Sequence, residues 1–181
     1  MWLLPVVLTG FLIAGCSSTP SRVDKGPVKA RTFTFVNGGS VPSATFADKR
    51  EVVHRMIQDA ITQNLAGKGV SRVAENSDVT VAYLVIIGNN VSTEAIDTYF
   101  GSGRDSSALH DKAQDAYTKS KNPNSFAAGT LLIDIIDSKT YKLLDRNYVV
   151  RPLLSKPSAE VRRSNIQEAV DEALKDLRIA K

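Results

Sequence analysis

Three carboxylates fall close together late in the chain: Asp134, Asp137 and Asp145. Two carboxyl groups whose surroundings push their pKa values apart can act as acid and base. Asp134 and Asp137 are therefore where a hydrolase would seat its chemistry. A structural reading competes and is the stronger one. Asp134 interrupts an otherwise apolar run and faces Arg146 if the two segments pair as a hairpin. Asp137 opens a turn, where Asp is common because its side chain bonds the backbone two residues on. The two histidines, His54 and His110, are far apart in sequence. His110 has Asp111 beside it and Asp115 farther on, but neighbouring residues on a helix point apart, and neither histidine sits in a zinc-type spacing. No Gly-x-Ser-x-Gly elbow is present. Gly101-Ser102-Gly103-Arg104 lacks the length and the Lys of a phosphate loop. The residues thus point to no catalytic group, no metal site and no cofactor. Tyr99, Phe100 and Tyr117 form a candidate binding surface, since aromatic side chains anchor recognition sites.

One residue carries a chemistry of its own. Cys16 is the single Cys of the chain, which excludes an intrachain disulfide and any zinc site built on several thiolates. It follows an uncharged apolar run, Met1 to Gly15. That run is shorter than the ~20 residues a spanning helix needs and matches the apolar core of a secretory signal. Leu12-Ile13-Ala14-Gly15-Cys16 resembles the lipobox of bacterial lipoproteins. The resemblance implies a diacylglycerol on the Cys16 sulfur and cleavage just before it. It also implies several acyl chains on the mature residue, enough for stable anchoring where one chain is marginal. Ser17 in the next position implies sorting to the outer membrane, facing the periplasm. Signals of this kind usually carry Lys or Arg ahead of the apolar run; none is present here, so either the signal is atypical or the true start lies upstream of Met1.

The composition is that of an ordinary globular domain, 43% hydrophobic and 23% charged over 181 residues. The net charge of +4 is spread out, and Lys49-Arg50 and Arg162-Arg163 each have a Glu nearby. That pattern fits solvated helix faces and excludes the basic stripe of a nucleic-acid binder.

These residues need elements to hold them. Ser17 to Ala30 is polar and Pro/Gly-containing, and reads as a flexible tether over 16–30. A single domain is expected over 31–181. Arg31 to Val36 alternates as a strand. A helix is expected from Lys49 to Ala66, with Asp48 as cap, Glu51 completing a capping box and Gly67 and Gly69 ending it. Its apolar face is Val53, Met56, Ile57, Ala60, Ile61 and Leu65. Val70 to Val73 fits a short strand. Asp78 to Ile87 reads as a strand, apolar on both faces from Ala82 and so central in the sheet. About 88–127 is a long irregular insertion, with a helix expected between Ala108 and Lys119. Ala128 to Asp137 and Tyr141 to Arg151 form a hairpin turning at Ser138-Lys139. A last helix, capped by Ser158, spans Ala159 to Ile179 and buries Ile166, Ala169, Val170, Ala173, Leu174 and Leu177. The expected class is α+β: a single, mostly antiparallel sheet of four to five strands with both amphipathic helices on one face. The first strand, first helix and next strand can form a crossover.

The chain resembles the domain-of-unknown-function 4136 family of small bacterial lipoproteins. The resemblance rests on Cys16, on Thr32-Phe33-Thr34-Phe35 and on the helix end Leu65-Ala66-Gly67-Lys68-Gly69-Val70. It continues through Ser77-Asp78-Val79-Thr80-Val81-Ala82-Tyr83, Gly129-Thr130-Leu131-Leu132-Ile133-Asp134-Ile135-Ile136-Asp137 and the closing helix. The family often has Trp, Arg and Gly in its last strand, where this chain has Asp145, Arg146 and Asn147. The resemblance implies no activity. The expected function is that of a non-enzymatic, lipid-anchored envelope protein. It would be held on the membrane by Cys16 and bind a protein partner or cell-wall component in the periplasm. A small-ligand carrier with a cavity between sheet and helices is the alternative, and a hydrolase using Asp134 and Asp137 ranks last.

Overall fold

A computed structural model describes residues 23–24, 26–41, 47–88, 91–92, 125–126 and 128–180. In order these form β1 (Val23–Asp24), β2 (Val28–Lys29), β3 (Thr32–Phe35), a 3-10 turn (Val36–Gly39), α1 (Glu51–Gly67), β4 (Ser71–Arg72) and β5 (Val79–Ile86). There follow β6 (Val91–Ser92), β7 (Ser125–Phe126), β8 (Thr130–Asp137), β9 (Leu143–Val150), α2 (Ala159–Ala173) and β10 (Ile179–Ala180).

The fold is α+β, but the sheet is mixed, which corrects the expectation of one mostly antiparallel sheet. Its order is β1-β9-β8-β5-β3-β4. The β1-β9, β9-β8 and β8-β5 pairings are antiparallel; β5-β3 and β3-β4 are parallel. The cause is α1, which carries the chain back along its length, so the strands that follow must run the same way as β3. Two small sheets stand apart, β2-β10 parallel and β6-β7 antiparallel.

Both helices share one core cluster with the odd-numbered side chains of the central strands. Phe33, Phe35, Val81, Ile133 and Ile135 meet Ile57, Ile61 and Leu65 of α1 and Val170 of α2 there, all essentially solvent-free. Each such aliphatic or aromatic side chain stabilises by roughly 1.5–3 kcal/mol on burial. The even-numbered residues Ala82, Leu84, Ile86 and Leu132 are also buried, as expected of central strands. The two helices run in the same direction. Asn64 donates to Asp171 in their last turns, and Lys68 donates to the Leu177 carbonyl just beyond both C-terminal ends.

The helix ends differ in part from expectation. The N-cap of α1 is Arg50, with no side-chain cap bond. Asp48 lies too far back to cap, and instead accepts from the Arg50 N–H at 2.9 Å and from its guanidinium at 2.6–3.1 Å. Gly69, at φ +85°, supplies the left-handed residue that turns the chain after α1. Ser158 caps α2 by accepting from the Val161 N–H. That helix stops at Ala173, short of Ile179, because Ile179 and Ala180 pair with Val28 and Lys29. The stretch read as a tether therefore contains β1 and β2.

Candidate functional site

The register of the β8–β9 hairpin decides what its carboxylates can do. Asp134 stands opposite Arg146, and Ile135 opposite Asp145, with a bulge just beyond. Asp134 and Asp145 therefore point to opposite faces of the sheet. Asp134 is fully buried, and Arg146 nearly so. The guanidinium grips the carboxylate with two bonds, at 2.8 and 2.7 Å. This fork geometry is the strong form of the pair. Asp137 sits at the turn and accepts from the Lys139 and Thr140 N–H groups and the Thr140 hydroxyl. The Thr140 N–H bond, followed by its hydroxyl, holds the Asp137 carboxyl below the usual carboxylate range. The hydrolase pair Asp134/Asp137 thus consists of one carboxylate locked by arginine and one engaged by a turn.

Asp145 lies on the helix-bearing face, buried, directly across from Asp24 of β1. The Asn147 side-chain amide donates to it at 2.5 Å, and Arg178 bonds Asp24 at 3.0 and 3.2 Å. Burial pushes the Asp145 carboxyl up to about 6, and the Asp24 charge adds to the rise. The sequence offered no sign of this grouping, because Asp24 and Arg178 are far from Asp145 along the chain.

His54 is buried on α1 and occupied at both nitrogens. Nε2 donates to the Asp48 carbonyl at 2.5 Å, and Nδ1 meets the Tyr83 hydroxyl at 3.1 Å. Gln58 donates to the same hydroxyl at 2.7 Å and to the Gly39 carbonyl at 2.6 Å. Burial raises the Tyr83 phenol above its ordinary range, so it stays protonated and can donate to His54. The network clamps β5, α1 and the 3-10 turn together. A recess of about 230 Å³ lies beside it, lined by Gly39, Glu51, Arg55 and Gln58 among others. Among the described residues no group of three or more His, Cys, Asp or Glu could hold a metal ion.

A second recess opens where α1 and α2 begin and the sheet ends. Its apolar floor is Val53, Ile57, Val85, Leu131 and Ile166, and its volume is about 140 Å³. Arg50, Arg151 and Arg162 stand on its rim with Leu153 and Leu154. Burial would raise the Asp48 carboxyl beneath this rim, but the hydrogen bonds and charge of Arg50 outweigh it and hold it low. Gly129 makes the rim possible. It adopts φ +91°, and a Cβ there would lie 1.9 Å from the Arg151 carbonyl oxygen. Glycine before a strand signals close backbone approach, so this position had a sequence sign that the groove itself lacked. Cys16, Tyr99, Phe100, Tyr117, Gly101–Arg104, His110, Asp111 and Asp115 lie outside the described residues, as does the helix expected at 108–119.

The family described as Domain of unknown function (DUF4136) matches residues 22–177. The chain belongs to this family. The DUF4136 match begins one residue before β1, so the strand that brings Asp24 to Asp145 falls within the family's domain. No curated protein and no solved structure matches the chain. Among the described residues no helix is long and apolar enough to cross a membrane.

Proposed function

We propose that this DUF4136 protein is a non-enzymatic, lipid-anchored protein of the cell envelope that works by binding an anionic envelope component. Lipid on Cys16 would hold it on the outer membrane, facing the periplasm. The observation that carries the binding reading is the groove end of the domain, where half-exposed leucines stand among arginines. Exposed apolar groups rimmed by polar ones mark interaction surfaces. Among the described residues, Asp134, Asp137 and His54 are engaged in structural contacts, which favours binding over catalysis. Both recesses are smaller than the ~300 Å³ at which small-molecule sites begin, which ranks the carrier reading lower.

The anchor and the binding have separate tests. Cys16→Ser should abolish acyl labelling and release the protein from membranes; retention without label would refute the anchor. Wild-type protein should co-sediment with purified envelope fragments in a salt-sensitive manner. Absence of sedimentation at low salt would refute the binding reading.

A further inference from the structure

Large apolar side chains that reach solvent are not scattered over this domain. Val52, Ile87, Val150, Leu153, Leu154 and Val161 are exposed at one end. There β5 and β9 finish, β8 starts, and both helices begin. Leu153 and Leu154 are the most prominent, at 52% and 49% exposure. At the opposite end, Tyr141 at the hairpin turn is, among the described residues, the one member of this class. Charge follows the same division. Residues 48–55 and 150–163, which build the groove end, contain seven basic and three acidic side chains. That excess equals the +4 of the whole chain, so the remainder is neutral. The parallel helices add their positive N-terminal ends to the same side.

We infer that this end of the domain docks on an anionic phospholipid surface, with Leu153 and Leu154 entering the headgroup layer and Lys156 and Arg162 meeting phosphates, while Arg151 is paired with Glu172. Interfacial binding draws on apolar area and on attraction between basic side chains and anionic lipid together, and among the described residues this end supplies both. The groove, at about 140 Å³, is a shallow face and not a container, which suits a surface more than an enclosed ligand. The direction of β1 supplies a further argument. It is antiparallel to β9, which runs toward the groove end. Val23, the leading residue of β1, therefore lies on the groove side of Asp24, opposite Arg146 midway along β9. Six residues lie between Cys16 and Val23, seven steps along the chain and a reach of at most about 25 Å. An acyl group on Cys16 would thus keep the domain within reach of the bilayer, and the apolar and basic groups of the groove end decide which face meets it. The inference deepens the envelope-binding reading and takes from it only the anchor.

The test places a fluorescent reporter at each end of the full chain. Leu154→Trp and Tyr141→Trp, each on a Trp2→Phe background, are reconstituted with vesicles of phosphatidylcholine with or without phosphatidylglycerol, using brominated acyl chains as quencher. Quenching at position 154 is expected to exceed that at position 141 by about threefold or more on anionic vesicles. It should weaken on neutral vesicles, in high salt, and in Lys156→Glu/Arg162→Glu, whose surface positions leave the core intact. Equal quenching at both ends, or none at 154, overturns the inference. Loss of quenching at 154 together with saturable binding of a purified envelope protein there would assign the face to a protein partner instead. The intact mass of each sample reports acylation of Cys16. An unacylated chain would refute the anchor while the 154-to-141 ratio still decides the docking face.

Discussion

Asp134 and Asp145 sit one register step apart on the same hairpin, both buried, yet they behave as opposites. Asp134 meets a buried guanidinium in a two-pronged grip. Asp145 meets another carboxylate, Asp24, and the cation nearby, Arg178, is bonded to Asp24. Burial penalises both charges equally in kind. The partner decides the result: one carboxylate is held in an ion pair, and the other is pushed up to about 6. Depth alone therefore says little about the state of a buried acid.

The largest way to break this contrast is Asp134→Ala. It leaves the Arg146 charge buried without its carboxylate and should cost about 3–5 kcal/mol in denaturant unfolding. Adding Arg146→Met should recover part of the loss, and an unchanged double variant would show that the pair is not the source. Asp145→Asn should act in the other direction. Because the folded carboxyl is raised above its ordinary value, the proton is held more tightly in the native state. Stability from this group is complete below about pH 4 and is lost as pH rises through about 6. The Asn variant should therefore be more stable at pH 7 by about 1–2 kcal/mol, with a flatter stability profile between those values; thermal melts at a series of pH values check this.

Asp137→Ala removes three bonds from the turn and should cost about 1 kcal/mol. Its carboxyl is held low, so the contribution is present above the ordinary Asp range and disappears on acidification; unfolding at neutral and acid pH compares the two. The smallest effect belongs to Arg178→Ala. Its pair with Asp24 is exposed on both sides, and such pairs contribute about 0–1 kcal/mol. Its sharper signature is in the titration: without that cation the Asp145 resonance should titrate at higher pH by NMR, since Arg178 lowers it.

The contrast also marks what the sequence could reveal. Asp134 and Arg146 were legible because a hairpin with a short turn pairs residues close in the chain. The apolar periods of α1, β5 and β8 were legible for the same local reason; the expected inward residues of α1 are buried, as are Ala82 to Leu84 and Ile86 of β5, whereas Val85 is half-buried and Ile87, just past the strand, is exposed. The strands β1, β2 and β10 have two residues each, too short for any period to show. Ile179 fits a helical face as well as a strand, and only its pairing with Val28 ends α2 where it does. Asp48 looked like a cap by its spacing, but the Arg50 side chain competed for it. His54 lies beside the apolar face of α1, and nothing in the sequence pointed to the Tyr83 hydroxyl and the Asp48 carbonyl that satisfy it.

The slenderness of β1 has a mechanical consequence. A pull on the chain ahead of Val23 would load two residue pairs with β9 and one exposed ion pair before it reached the eight-residue strands. The domain would yield there first, lengthening its leash by a few residues while β5, β8 and β9 kept their register. A sheet edge this weak works as a slack-giver: tension is spent on the outermost strand, and the folded body is spared.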